Sequence, residues 1–132
     1  MNKKFIISVV VVFVVSMLLG FITHAWALAD EYAATGLYRT LEDQEAHFVW
    51  MLVAHVIMAY AFVKLYVCGR EDKPWLAQGL RFGFLIGLFA AVGIYMIFYA
   101  VQPLPEMLVF RQAVYDTLNL MVLGSVVAWM YR

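Results

Sequence analysis

Four long apolar stretches, separated by short polar segments, organise this chain. The first runs from about residue 5 to 26 and is apolar on every side. An apolar run of about 20 residues predicts a helix long enough to span a bilayer. Its β-branched run, Val9 to Val12, forms helix poorly in water, but without water the backbone must satisfy its own hydrogen bonds, and a helix does so. The second stretch covers about residues 41–68, with its apolar part from His47 to Cys68. The third covers about 76–101 and the fourth about 107–131.

Polar punctuation sets the joints. Asp30, Glu31, Glu42, Asp43 and Glu45, with Arg39, lie between the first two stretches, and a loop is expected at about 30–40. Thr40 followed by Glu42 and Asp43 predicts an N-cap with acidic residues in the first turn, so the second helix is expected to begin near Leu41. Gly69 to Pro74 reads as a turn, with Gly closing one helix and Pro opening the next. Gln102-Pro103-Leu104-Pro105 makes a short stiff connection. The expected fold is all-α: one integral membrane domain, 1–132, forming a polytopic four-transmembrane-helix bundle.

Composition sharpens this picture. The 132 residues are 66% hydrophobic and 14% charged. Soluble domains carry about 45–50% apolar and about 25% charged residues. Zero net charge implies no nucleic-acid surface. One cysteine and three histidines supply neither a disulfide framework nor a structural zinc site. Lys3 and Lys4 before the first stretch, and Ala27-Leu28-Ala29 after it, resemble a secretory leader. The apolar core exceeds the usual 7–15 residues of such a leader, so an uncleaved helix is expected.

Lysine and arginine placement predicts orientation. With the N-terminus in the cytoplasm, Lys3, Lys4, Lys64, Arg70, Lys73, Arg81 and Arg132 fall on that side, against Arg39 and Arg111 on the other. The positive-inside rule selects this arrangement, with both termini cytoplasmic. Trp26, Trp50, Trp75, Trp129, Tyr95 and Tyr99 then read as aromatic-belt residues.

Two features stand out inside the spans. Gly79, Gly83 and Gly87 recur every four residues and make a smooth ridge where another backbone can approach, with Gly124 and Ala128 as a smaller ridge on the fourth helix. The ridge is expected to serve packing, within the bundle or against a second subunit. The fourth helix also carries Gln112, Asp116 and Asn119 on one face, with Arg111 and Tyr115 at its edge. A carboxylate inside a span costs roughly 2.5–3.5 kcal/mol on insertion scales, so this face must look at protein or water. His55 falls at a similar depth on the second helix and is the expected partner of Asp116. The cluster reads first as polar glue that fixes helix register. A binding or proton-relay site is the alternative.

Arg81, three residues after Gln78, is expected to snorkel to the headgroups, and the same geometry admits an anionic-lipid contact. His24 and His47 near the outer boundary are weak candidates for haem or metal ligation. Met51 and His55 continue from His47 at helical spacing, but methionine on an apolar helix ordinarily packs, so no cofactor is expected.

The stretch Gln78-Gly79-Leu-Arg81-Phe-Gly83-Phe-Leu-Ile-Gly87, the turn Tyr99-Ala-Val-Gln102-Pro103-Leu104-Pro105 and the ending Tyr131-Arg132 resemble uncharacterised small bacterial inner-membrane proteins with four predicted helices. The resemblance covers roughly the last two-thirds of the chain. It implies a bacterial setting and the four-helix layout only, and no activity; with the orientation read from lysine and arginine placement, the membrane is expected to be the bacterial inner membrane and the loop at about 30–40 periplasmic.

No nucleophile elbow, phosphate loop or metal-protease pair is present, and the loops are too short for a soluble catalytic site. The expectation is a non-enzymatic accessory subunit or scaffold in the bilayer, packed against other membrane protein subunits or against its own copies. A small transporter or proton-relay protein using Asp116, His55 and Asn119 is the first alternative, and a haem-carrying electron-transfer subunit the second.

Overall fold

The computed structural model describes residues 2–132. Among them there are helices and no strand, and four helices are long and apolar enough to cross a membrane. We label the elements α1 (Lys3–Ala27), α2 (Ala29–Thr35), α3 (Leu41–Ala46), α4 (Phe48–Gly69), α5 (Trp75–Val101) and α6 (Glu106–Met130). The chain divides into two compact units, Met1–Leu65 and Tyr66–Arg132, with the boundary inside α4.

In the first unit, the Asn2 side chain caps α1 by accepting from Phe5 N at 2.9 Å. The hydroxyls of Ser8 and Ser16 donate to the carbonyls of Lys4 and Phe13 at 2.8 and 2.9 Å, so neither is left unmade inside an apolar helix. Phe5 meets the Tyr60 ring edge-on at 5.6 Å, which brings α1 onto α4. The last turns of α1, Phe21–Ala27, widen to π-helix.

The segment expected to be loop at 30–40 holds a helix of its own. In α2, Asp30 and Glu31 occupy the first turn, where the helix dipole favours negative charge. Gly36 closes α2 at φ 64, a left-handed geometry that costs glycine little. Tyr32 packs on Tyr38 at 4.6 Å and fastens the segment. Thr40 does cap α3, accepting from Asp43 N at 3.4 Å. The helix does not run on into the second span, however. His47 leaves helical geometry at φ −104, ψ 5, and its ring turns back to the Asp43 carbonyl at 2.7 Å. The Arg39 guanidinium, 2.7 Å from Asp43, holds that carboxyl below the usual carboxylate range.

The second unit is built on the packing of α5 against α6. Pro74 opens α5 and Pro105 opens α6. On α5, Gln78, Gly79, Gly83 and Gly87 are buried, and on α6 Thr117, Leu123, Gly124, Val127 and Ala128 are buried. All three ridge glycines therefore look inward, onto the last helix of the same chain. A Cβ added to Gly79 would lie 2.5 Å from the Gly124 carbonyl oxygen and 2.7 Å from Ala128 Cβ. One added to Gly83 would strike the Leu120 carbonyl, and one on Gly87 would lie 2.7 Å from Thr117 Cγ2. Gly124 answers in kind, since a Cβ there would strike the Gly79 carbonyl.

The hydrogen that stands in place of each missing Cβ points at the same neighbour. At Gly79, Gly83 and Gly124 that neighbour is a carbonyl oxygen of the facing helix, the geometry of a Cα–H···O contact. Each such contact contributes about 0.5–1 kcal/mol, in addition to the dispersion gained by close backbones.

Candidate functional site

The polar face of α6 is the candidate site. Gln112 is buried, Asp116 and Asn119 are half-buried, and Arg111 and Tyr115 face outward. The Tyr95 hydroxyl donates to Asp116 Oδ2 at 2.5 Å. Thr117, next in the chain, packs on Gly87 and donates its hydroxyl to the Ala113 carbonyl at 2.7 Å.

Tyr95 reaches Asp116 for two reasons. Side chains lean toward the N-terminus of their own helix. In the antiparallel α5–α6 hairpin Tyr95 thus leans toward Ala91 while Asp116 leans toward Gln112, and the two converge. The second reason is rotational. Tyr95 is eight residues beyond Gly87, which at 100° per residue would put it roughly 80° off the glycine face. Between them lies a π-helical stretch, Leu88–Gly93. The wider turn rotates less per residue, so later residues fall back toward α6. Regular helical periodicity carries no sign of the wide turn, so from sequence Tyr95 is expected only as an aromatic-belt residue.

His55 lies in the first unit. Its Nδ1 meets the Met51 carbonyl at 2.9 Å, so Nδ1 must carry a proton. A neutral ring then keeps Nε2 as acceptor, and Nε2 lies 3.7 Å from where a Cβ on Gly20 would stand. His24 Nδ1 and the Tyr32 hydroxyl are 2.6 Å apart, with the rings stacked. His47 Nδ1 donates to Asp43. Among the described residues no group of three or more His, Cys, Asp or Glu could hold a metal ion.

A second polar cluster closes the end of the hairpin. The Gln78 amide donates to the Tyr66 hydroxyl at 3.2 Å and accepts from Glu71 N, fixing the turn after α4 to the start of α5. Tyr66 is 2% exposed and meets Phe82 edge-on at 5.3 Å. Arg70 donates to the Tyr131 carbonyl at 3.0 Å, just past the end of α6, and its guanidinium lies 5.4 Å from the Tyr131 ring centre. The Lys73 ammonium, paired with Glu71, holds that carboxyl below the usual carboxylate range, with a smaller contribution from Arg81. Gln78 is thus a buried bracket of the turn, while Arg81 is exposed.

No family model matches the chain, and no curated protein or solved structure matches it.

Proposed function

We propose that the chain is a multi-pass protein of the bacterial inner membrane, with both termini in the cytoplasm, and that it serves as a non-catalytic subunit or scaffold beside a larger membrane complex. The observation that carries this reading is how little of each span the chain covers by itself. Between 11% and 28% of the most apolar window of each span is buried inside the chain. The outward faces carry Trp26, Trp50, Phe89, Met96 and Phe110, side chains that lipid or another membrane protein would cover. The excess of lysine and arginine on one set of helix ends supports the orientation. The bacterial setting is supported by the resemblance of the last two-thirds of the chain.

Gentle extraction of native membranes in digitonin tests this. The chain is expected to migrate with a larger assembly through affinity purification and native electrophoresis. Migration as a lone monomer at every detergent strength contradicts a subunit role. A visible spectrum of the same preparation is expected to lack a Soret band, and a band that follows the chain would favour the haem alternative.

The Tyr95–Asp116 pair supports a second reading, a small transporter or proton-relay protein. A carboxyl held by a phenol in the interior of a span is the kind of group that carries protons across bilayers. Four helices provide little room for a path, so this reading requires at least two copies.

A further inference from the structure

We propose that the end of the α5–α6 hairpin is a seat for one anionic phospholipid, its phosphate held by Arg70 and Arg81 and its acyl chain running past Phe82 and Leu85. A cavity of about 380 Å³ opens there, lined by these four residues with Tyr66 and Gln78, and by Gly69 and Glu71 of the turn.

Three observations point to an anion. The first is spare donor capacity on two guanidinium groups lining one cavity. Arg81 is held only by a loose ion pair with Glu71, at 3.7 Å, longer than an ordinary hydrogen bond, which leaves most of its five N–H groups available. Arg70 uses one nitrogen on the Tyr131 carbonyl and keeps the rest. The second is the buried Tyr66 hydroxyl. Its oxygen accepts from Gln78, and among the described residues nothing takes its proton. A buried hydroxyl donor without an acceptor costs about 1–3 kcal/mol, and a phosphate oxygen would remove that cost. The third is charge: two cations line the cavity against one carboxylate, Glu71, which Lys73 pairs closely and Arg81 loosely.

The apolar wall distinguishes a lipid from a free anion. Phe82 and Leu85 lie one turn apart on α5, along the helix from Arg81 toward the middle of the span. A diacyl phosphate with its head at the arginines lays hydrocarbon along this wall. Bidentate guanidinium recognition supplies affinity for the phosphate. The basic end of a span is also where anionic headgroups concentrate.

The inference rests on the membrane reading but not on any partner subunit. The test titrates the full chain, purified in dodecyl maltoside, with dioleoyl phosphatidylglycerol or dioleoyl phosphatidylcholine and counts bound lipids by native mass spectrometry. Wild type is expected to retain one phosphatidylglycerol with about tenfold preference or more, and Arg70→Gln and Arg81→Gln are each expected to lose about tenfold in affinity. Arg81→Lys should recover part of the loss, Tyr66→Phe should weaken binding to a smaller degree, and Arg39→Gln in the first unit should change nothing. Helicity by circular dichroism identifies any variant that fails to fold, and Arg81→Lys against wild type then carries the comparison. Equal retention of the two lipids, or full retention by Arg70→Gln and Arg81→Gln, would overturn the proposal. Displacement of the lipid by excess inorganic phosphate would overturn the lipid as occupant. Resistance of the membrane fraction to carbonate extraction tests insertion separately, so the two readings can fail independently.

Discussion

Gly83→Leu is expected to separate α5 from α6 and leave the second unit without its core. The position admits no side chain, because a Cβ there runs into the Leu120 carbonyl and lies 2.5 Å from Met121 Cα. Both obstacles are backbone, which cannot change rotamer to make room. Overpacking ordinarily costs about 1–3 kcal/mol. Here the helices themselves must move, and the neighbouring Gly79–Gly124 and Gly87–Thr117 contacts move with them. The expected loss is therefore at the top of that range or above, about 3 kcal/mol or more. Even Gly83→Ala should cost most of it. Gly20→Ala is the internal control. A Cβ at Gly20 lies 3.7 Å from His55 Nε2, an ordinary contact, and alanine favours helix over glycine by about 1 kcal/mol in water. Denaturation in mixed micelles, followed by circular dichroism, should show Gly20→Ala near wild type and Gly83→Leu unfolded or aggregated. Equal behaviour of the two variants would count against the packing described.

The second large effect concerns Asp116. Tyr95→Phe removes the phenol that donates to its carboxyl and leaves that group with one donor fewer in the interior of the span. Hydrogen bonds to charged groups are worth about 1.5–3 kcal/mol, and the cost of an unsatisfied buried group is of the same order. Tyr95→Phe is thus expected to lower stability by about 2 kcal/mol. Replacing both partners should be milder: in Tyr95→Phe/Asp116→Leu, no polar group of the pair remains to be buried, and most of the loss should return. Unfolding of the two single variants and the double gives the coupling directly. Strict additivity would show that the pair does not act as one unit. Flux measured on the same proteins in vesicles separates glue from relay. Polar glue predicts no proton flux that depends on Asp116, and the relay reading predicts flux that Asp116→Asn abolishes.

The glycine ridge was legible because spacing alone carries it. Three glycines at intervals of four can only share one helix face, and Gly124 with Ala128 supplied the matching surface. Their direction, into the chain's own last helix, was not legible, since the same pattern serves a dimer equally well. The four spans were legible from length and hydropathy, to within a few residues at α1, α5 and α6. The break at His47 was not, because it depends on a side chain turning back to Asp43. The helix Ala29–Thr35 escaped notice because its short polar sequence has no apolar period, and tyrosine packing holds it. At the site, Gln112, Asp116 and Asn119 were found by their spacing. Tyr95 was missed, because its approach depends on the π-helical turns of Leu88–Gly93. The loosely held Arg81 guanidinium and the Tyr66 hydroxyl were also beyond reach of the sequence, since they follow from what neighbours do with their own hydrogen bonds.

Within one chain, α5 and α6 touch backbone to backbone through their glycines. Solid-state NMR of the ¹³C-glycine-labelled protein in lipid vesicles addresses it without mutation. Gly124 faces Gly79 and Gly83 across the contact, with a Cβ at Gly124 falling 3.1 Å from Gly83 Cα. A Gly83–Gly124 carbon cross-peak is expected that keeps its relative intensity when labelled chains are diluted into unlabelled ones. Loss of that peak on dilution would place the contact between two chains. Its absence throughout, with the ridge glycines showing transfer from lipid acyl protons instead, would contradict the packing outright.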